Sequence, residues 1–150
     1  MIRFLTRWFS KPQKQTLRYE LTELPQIPAL AEQVESYLGE RDVAQKIISG
    51  VNLCLDELLT NTLRYGYVGS EAEPRIVVEL LVENGELTVN ITDNAVPFDP
   101  TAEADAPDLD ASLEDRRIGG LGIHFVKTLS DSFRYQRQSE HNILVLTKML

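Results

Sequence analysis

The sequence predicts a two-layer α/β (α+β) sandwich, in which helices cover one face of a mixed, mostly antiparallel sheet. Three observations lead there. Two amphipathic helical repeats follow one another over residues 27–66, a hairpin signal is centred on Asn84-Gly85, and the flanking runs alternate apolar with polar residues. Strands with one dry face and helices with one dry stripe satisfy each other when stacked in two layers.

Taken in order, Leu17, Tyr19 and Leu21 alternate with polar neighbours and predict a half-buried strand. Ile27, Leu30, Ala31, Val34, Tyr37 and Leu38 then repeat at three-to-four spacing, with Pro28 tolerable in a first turn and Gly39 suited to a stop. A longer helix is expected from about Asp42, as N-cap, through Ala44, Ile47, Ile48, Val51, Cys54, Leu55, Leu58 and Leu59 to near Gly66. Between Arg75 and Asp93, two β-rich runs flank Asn84-Gly85, the dipeptide that accepts the positive φ angles of a type I′ turn. Leu87, Val89 and Ile91 should face the core while Thr88, Asn90 and Thr92 face away. A short helix through Ile123, Val126 and Leu129 and strands near 133–137 and 143–149 complete the pattern.

The chain has 150 residues, 43% hydrophobic and 25% charged, which suits one soluble domain with a sizeable core. Its net charge of −8 opposes binding to nucleic-acid phosphates, so no direct nucleic-acid contact is expected. Cys54 is the only cysteine; it excludes an internal disulfide and favours a reducing compartment, the cytoplasm. Residues 1–14 form a separate basic arm in which Arg3, Arg7, Lys11 and Lys14 meet no acid. Ile2, Leu5, Trp8 and Phe9 recur there at helical spacing, so the arm can lie on a membrane surface, on a partner or against its own domain. It is too short to span a bilayer, and arginines interrupt its apolar residues where a cleavable signal would be continuous.

Three spaced elements carry chemistry within residues 15–150. Glu57 and Asn61 lie four apart on the long helix and share a face at the margin of the apolar stripe that holds Val51, Leu58 and Tyr65. An amide oxygen at Asn61 suits a hard cation such as Mg²⁺, and a carboxylate at Glu57 suits a general base, although the same pair also fits an ordinary helix surface. Asp93 ends the second hairpin strand and opens Asn94-Ala95-Val96-Pro97-Phe98-Asp99-Pro100. Its carboxylate can accept from an exocyclic amine beside the apolar Val96 and Phe98; the alternative is a capped turn with Phe98 anchored in the core. Gly119, Gly120 and Gly122 precede a helix, where bare backbone N–H groups can meet phosphate or where the chain simply hinges. Residues 95–118 between these elements contain seven acids, among them Asp105, Glu114 and Asp115, and read as a long lid or a linker.

In order, Glu57-x-x-x-Asn61, Asp93 with Pro97-Phe98-Asp99-Pro100, and Gly119-Gly120-Leu121-Gly122-Ile123 resemble the N, G1 and G2 boxes of the GHKL ATPases. The segments 119–131 and 142–150 resemble the end of a bacterial anti-sigma-factor kinase domain, and the likeness covers roughly residues 15–150. The resemblance implies the Bergerat ATP-binding fold with ATP and Mg²⁺ as cofactors. It gives Glu57 the activation of an attacking hydroxyl or water, Asn61 the Mg²⁺ ion, and Asp93 the adenine amino group. The glycines, with Leu121 and Ile123, would flank the phosphates and an ATP lid. Arg116 and Arg117, beside those glycines, are further candidates for reaching phosphate, unless they only offset Glu114 and Asp115. Two positions depart from the family pattern: Ala95 stands where the G1 glycine is usual, and Tyr65, expected to pack, where a histidine commonly precedes the glycine ending the N-box helix.

The function so implied is a serine/threonine protein kinase and anti-sigma regulator. It would act through a homodimer on an antagonist protein bearing a phosphorylatable serine or threonine, and would hold a sigma factor. The alternative is an ATP-binding interaction module or ATPase switch without protein phosphotransfer. A sensor histidine kinase fits poorly, because His124 and His141 both follow the G2 glycines and too little chain precedes Glu57 for a phosphoacceptor hairpin.

Overall fold

The computed structural model describes residues 15–102 and 120–150. The basic arm, most of the expected lid, Arg116, Arg117 and Gly119 lie outside the described residues. The elements are β1 (Leu17–Leu21), a 3-10 turn (Leu24–Gln26), α1 (Ile27–Gly39), α2 (Gln45–Tyr65), β2 (Ile76–Glu83), β3 (Glu86–Asp93), α3 (Gly120–Leu129), β4 (Ser132–Gln138) and β5 (His141–Met149).

The sheet runs β1-β2-β3-β5-β4. All four pairings are antiparallel, so the expected admixture of parallel strands is absent among the described residues. Asn84 and Gly85 have φ of 52° and 74°, which makes the type I′ turn the sequence predicts. Ser139 and Glu140 form a second positive-φ turn, at 50° and 62°, without glycine or asparagine to announce it. The alternation within β3 is as expected: Leu87, Val89 and Ile91 are buried and the intervening residues partly exposed.

The core joins Leu21, Ile76, Val78, Leu80, Leu87, Val89, Ile91, Leu144 and Leu146 of the sheet to Leu30, Val34 and Leu38 of α1, Val51, Leu55, Leu58 and Leu59 of α2, and Val126 of α3. Residues of the other parity, such as Val77, Leu81, Ile143 and Val145, occupy the opposite face, partly exposed. No described helix is long and apolar enough to cross a membrane.

Two helix ends differ from expectation. Asp42 does not cap α2; Ala44 does, its carbonyl accepting from Ile47 N–H at 2.9 Å and Ile48 N–H at 3.1 Å. Asp42 instead sits at φ 57° in the turn after α1, donating its N–H to the Gly39 carbonyl at 3.1 Å. A short polar side chain tolerates that left-handed conformation, and the turn claimed it before the helix could. At the other end of the sheet, the glycine cluster does not merely precede α3: Gly120 and Gly122 lie within its first turn.

Candidate functional site

Helix α2 contributes one wall of a cavity of about 260 Å³, through Leu58, Asn61, Thr62, Tyr65 and Gly66. These positions recur at three-to-four spacing and so share a face. Tyr65 is 45% exposed, not packed as its place on the apolar stripe suggests, because that stripe outruns the sheet beneath it and ends over the cavity. Gly66 closes the helix with φ −72°, so no left-handed cap is required of it. Its bareness serves an approach instead: a Cβ there would lie 2.7 Å from the Thr62 carbonyl oxygen and 2.9 Å from Ala95 Cβ. Val96 N–H donates to the Gly66 carbonyl at 3.0 Å and ties the loop after β3 to the helix end.

The opposite wall is built from the ends of two neighbouring strands. Asp93 and Asn142 are partners in the β3/β5 ladder and the only buried polar residues among those described. Asn142 Nδ2 donates to Asp93 Oδ1 at 2.9 Å and to the Val96 carbonyl at 2.9 Å. Ala95 N–H donates to the same Asp93 Oδ1 at 2.9 Å. Among the described residues Asp93 Oδ2 takes no hydrogen bond, and Asp93 lines the cavity. Asn142 Oδ1 accepts from the Tyr135 hydroxyl at 2.7 Å and from Arg137 at 3.1 Å, and the same Arg137 nitrogen donates to the Ala95 carbonyl at 2.9 Å. Burial pushes the Asp93 carboxyl above its ordinary range, and the bonds from Asn142 and Ala95 and the charges of Arg137 and His141 only partly offset it.

Residues 94–102 lay an apolar rim across the mouth. Val96, at 40% exposure, and Phe98, at 50%, line the cavity with Pro97, Pro100, Ile123 and Leu144. Phe98 is therefore not an anchor in the core, although the turn beyond it is capped: Asp99 Oδ1 accepts from Thr101 N–H at 2.9 Å and Thr101 Oγ1 at 2.6 Å. Ala95 is not among the residues with positive φ, so its backbone asks for no glycine, and its methyl faces Gly66.

The third element meets the first at Gly122. A Cβ on Gly122 would fall 2.8 Å from Glu57 Cβ and 2.9 Å from the Glu57 carboxyl carbon, so α3 crosses α2 where only glycine fits. Glu57 itself lies at that crossing and does not line the cavity. Ile123, the next residue, is buried and does line it. Gly120 and Leu121 belong to the same turn.

Of the residues singled out from the sequence, Asn61, Asp93, Phe98 and Ile123 line the cavity, while Glu57 and Gly122 meet at the helix crossing next to Ile123. Sequence reading missed Asn142, Tyr135 and Arg137. The signal for Asn142 was there: it has the parity of Leu144 and Leu146, so it is a polar residue on a dry face.

In this two-layer α/β protein, one buried carboxylate, an amide across from it and apolar walls between make a cavity whose chemistry can accommodate a planar, amine-bearing group. The chain belongs to the histidine kinase-like ATPase domain family, whose model matches residues 21–148. It is 32% identical over 97 residues to the serine/threonine-protein kinase BtrW of Bordetella bronchiseptica, covering 65% of this chain and 67% of that protein. It is 27% identical over 115 residues to an anti-sigma F factor of Clostridium botulinum, covering 77% and 79%. Its fold is similar to a chain in the SiaB–SiaC complex from Pseudomonas aeruginosa, with TM-score 0.61 at 15% identity, over 89% and 88% of the two chains.

Proposed function

We propose that residues 15–150 form a Mg-ATP-dependent serine/threonine protein kinase of the anti-sigma type, which phosphorylates an antagonist protein and exchanges it for a sigma factor as a homodimer in the cytoplasm. Asp93 carries the reading. Its Oδ1 is held by Ala95 N–H and Asn142, which leaves Oδ2 toward the cavity as an acceptor for the adenine amine. Val96, Phe98 and Ile123 give the purine ring its apolar contacts, and Tyr65 adds a ring at the rim. The family and the kinase and anti-sigma names of the relatives support the activity.

Asn61 is suited to Mg²⁺ as one oxygen ligand. Among the described residues no three His, Cys, Asp or Glu side chains cluster to hold a metal. A cation here would take most of its ligands from phosphates and water, the habit of Mg²⁺ at nucleotide sites. Bound there, it would neutralise charge on the transferring phosphoryl group. Glu57, one turn before Asn61, is the base we assign to the acceptor hydroxyl. Arg116, Arg117 and the N–H groups around Gly119, Gly120 and Leu121 are assigned to the phosphates, and the segment around 95–118 to the lid.

The test separates two outcomes. Titration with ATP and Mg²⁺ measures binding, and incubation of the chain with proteins captured from its own source measures phosphate transfer. The kinase reading expects phosphoserine or phosphothreonine on a captured protein, lost in Glu57→Ala while ATP still binds. Binding without transfer would leave the interaction-module reading; no binding would overturn both.

A further inference from the structure

A second concavity, of about 260 Å³, lies on the sheet face opposite the helices, lined by Leu81, Glu83, Asn84, Glu86, Thr88 and Met149. Leu81, Glu83, Glu86, Thr88 and Met149 have one parity across three strands, so their side chains share that outer face at the β2–β3 turn. Its lining combines the acids Glu83 and Glu86 with the apolar Leu81 and Met149, and Met149 is 57% exposed. The nucleotide cavity is at the other end of β3, where Asp93 pairs with Ile76.

The chain enters the fold beside this groove. Leu17 pairs with Leu80, and Gln15 and Thr16 before it lie on the side of β1 toward the β2–β3 turn. Tyr37 fixes the point of entry: its hydroxyl donates to the Gln15 carbonyl at 2.9 Å and accepts from Val82 N–H at 3.1 Å. Immediately upstream is the segment 1–14, with four cations, no acids, and Ile2, Leu5, Trp8 and Phe9 at helical spacing. Its chemistry complements the groove in charge and in apolar content. From β1 to β5 is three strand spacings, roughly 14 Å, and the seven residue steps from Trp8 to Gln15 span up to roughly 24 Å.

We infer that the groove formed by Leu81, Glu83, Glu86, Thr88 and Met149 is the docking site for the chain's own residues 1–14, Trp8 covering Leu81 and Met149 while the arm's cations face Glu83 and Glu86. The arm thereby shields the end of a sheet face that carries no helix among the described residues, and does so away from the nucleotide cavity. This inference stands whether or not the chain transfers phosphate.

Trp8 is the only tryptophan of the 150 residues, so the intrinsic emission of this chain reads the arm alone. In dilute protein the inference expects blue-shifted emission and acrylamide quenching roughly twofold weaker than for free tryptophan amide, because a docked ring offers one face to the quencher. Glu83→Lys with Glu86→Lys, or separately Met149→Arg, should restore full quenching with far-UV circular dichroism unchanged. Arg3→Glu with Arg7→Glu should do the same, and combining it with the two lysine substitutions should return protection. Solvent-exposed emission in the unaltered protein, or protection indifferent to every groove variant, overturns the inference. Protection that rises with protein concentration assigns the arm to a second copy, and protection only with phosphatidylglycerol vesicles assigns it to a membrane; either result overturns docking on its own domain.

Discussion

Gly122 and Glu57 touch where α3 crosses α2: a Cβ on the glycine would stand 2.8 Å from the glutamate Cβ. Gly122 thus holds the place of Glu57, a relation distinct from any contact with phosphate. Gly122→Ala should push Glu57 or α3 aside, at about 1–3 kcal/mol of stability for overpacking. Misplacement of a base by about 1 Å costs on the order of a hundredfold in rate. We expect ATP affinity near that of the unaltered chain and phosphotransfer reduced on that scale, read by equilibrium titration and by initial rates on the same preparation.

Asp93→Asn tests the purine contact. The amide keeps an oxygen for Ala95 N–H and Asn142, but then presents an NH₂ to the cavity where an acceptor is needed. Loss of a bond to a charged acceptor should weaken ATP binding roughly 10- to 100-fold. The unaltered chain should also show a pH dependence of a definite sign. Burial raises the Asp93 pKa above its ordinary 3.8, so the folded chain holds a proton that the unfolded chain releases first. This contribution to stability is complete below 3.8 and declines as pH rises through the folded value. Nucleotide affinity runs the other way, strengthening as the carboxylate ionises. Denaturation midpoints and ATP affinities measured from pH 3.5 upward should show both slopes, and Asp93→Asn should remove both.

Asn142→Ala removes the residue that links Asp93 to the loop. It strips a donor from Asp93 Oδ1 and the Val96 carbonyl, and an acceptor from Tyr135 and Arg137. Unsatisfied buried groups cost about 1–3 kcal/mol each, and we expect a loss of about 2–3 kcal/mol with weaker ATP binding. Urea denaturation with and without ATP measures both; an unchanged midpoint would show that water replaces the amide at no cost.

Cys54 should be inert in the folded chain. Burial pushes its thiol from 9.0 up to about 12, with a smaller push from Glu57. Three pH units of lost thiolate slow alkylation roughly a thousandfold before access is counted. Iodoacetamide at pH 8 should therefore label the native protein only through unfolding, at a rate that rises with urea.

Much of this was legible because it depends on local rules. Period-two and period-3.6 patterns placed every described strand and helix, and Asn84-Gly85 placed the hairpin. What escaped depends on contacts between distant segments. Asp42 offers a cap to any helix start, and nothing local tells that the preceding turn will take it at φ 57°. Tyr65 obeys the apolar stripe of α2, but whether the sheet extends beneath it is decided by β3 and β5. Gly122 fits a phosphate loop on composition alone; its fit to Glu57 exists only once two helices cross. Asn142 was the avoidable omission, a polar residue in the dry row of its strand, opposite another one.

That opposition makes the hairpin turn a ruler for the binding site. Asp93 lies eight residues from Gly85, and its side faces the cavity because the count of residues from the turn is fixed and the parity is fixed with it. Add one residue between Gly85 and Asp93, and the carboxylate would point to the open face, leaving Asn142 opposite Thr92. A two-residue turn at the far end of the sheet therefore decides on which face of the sheet the Asp93 carboxylate stands.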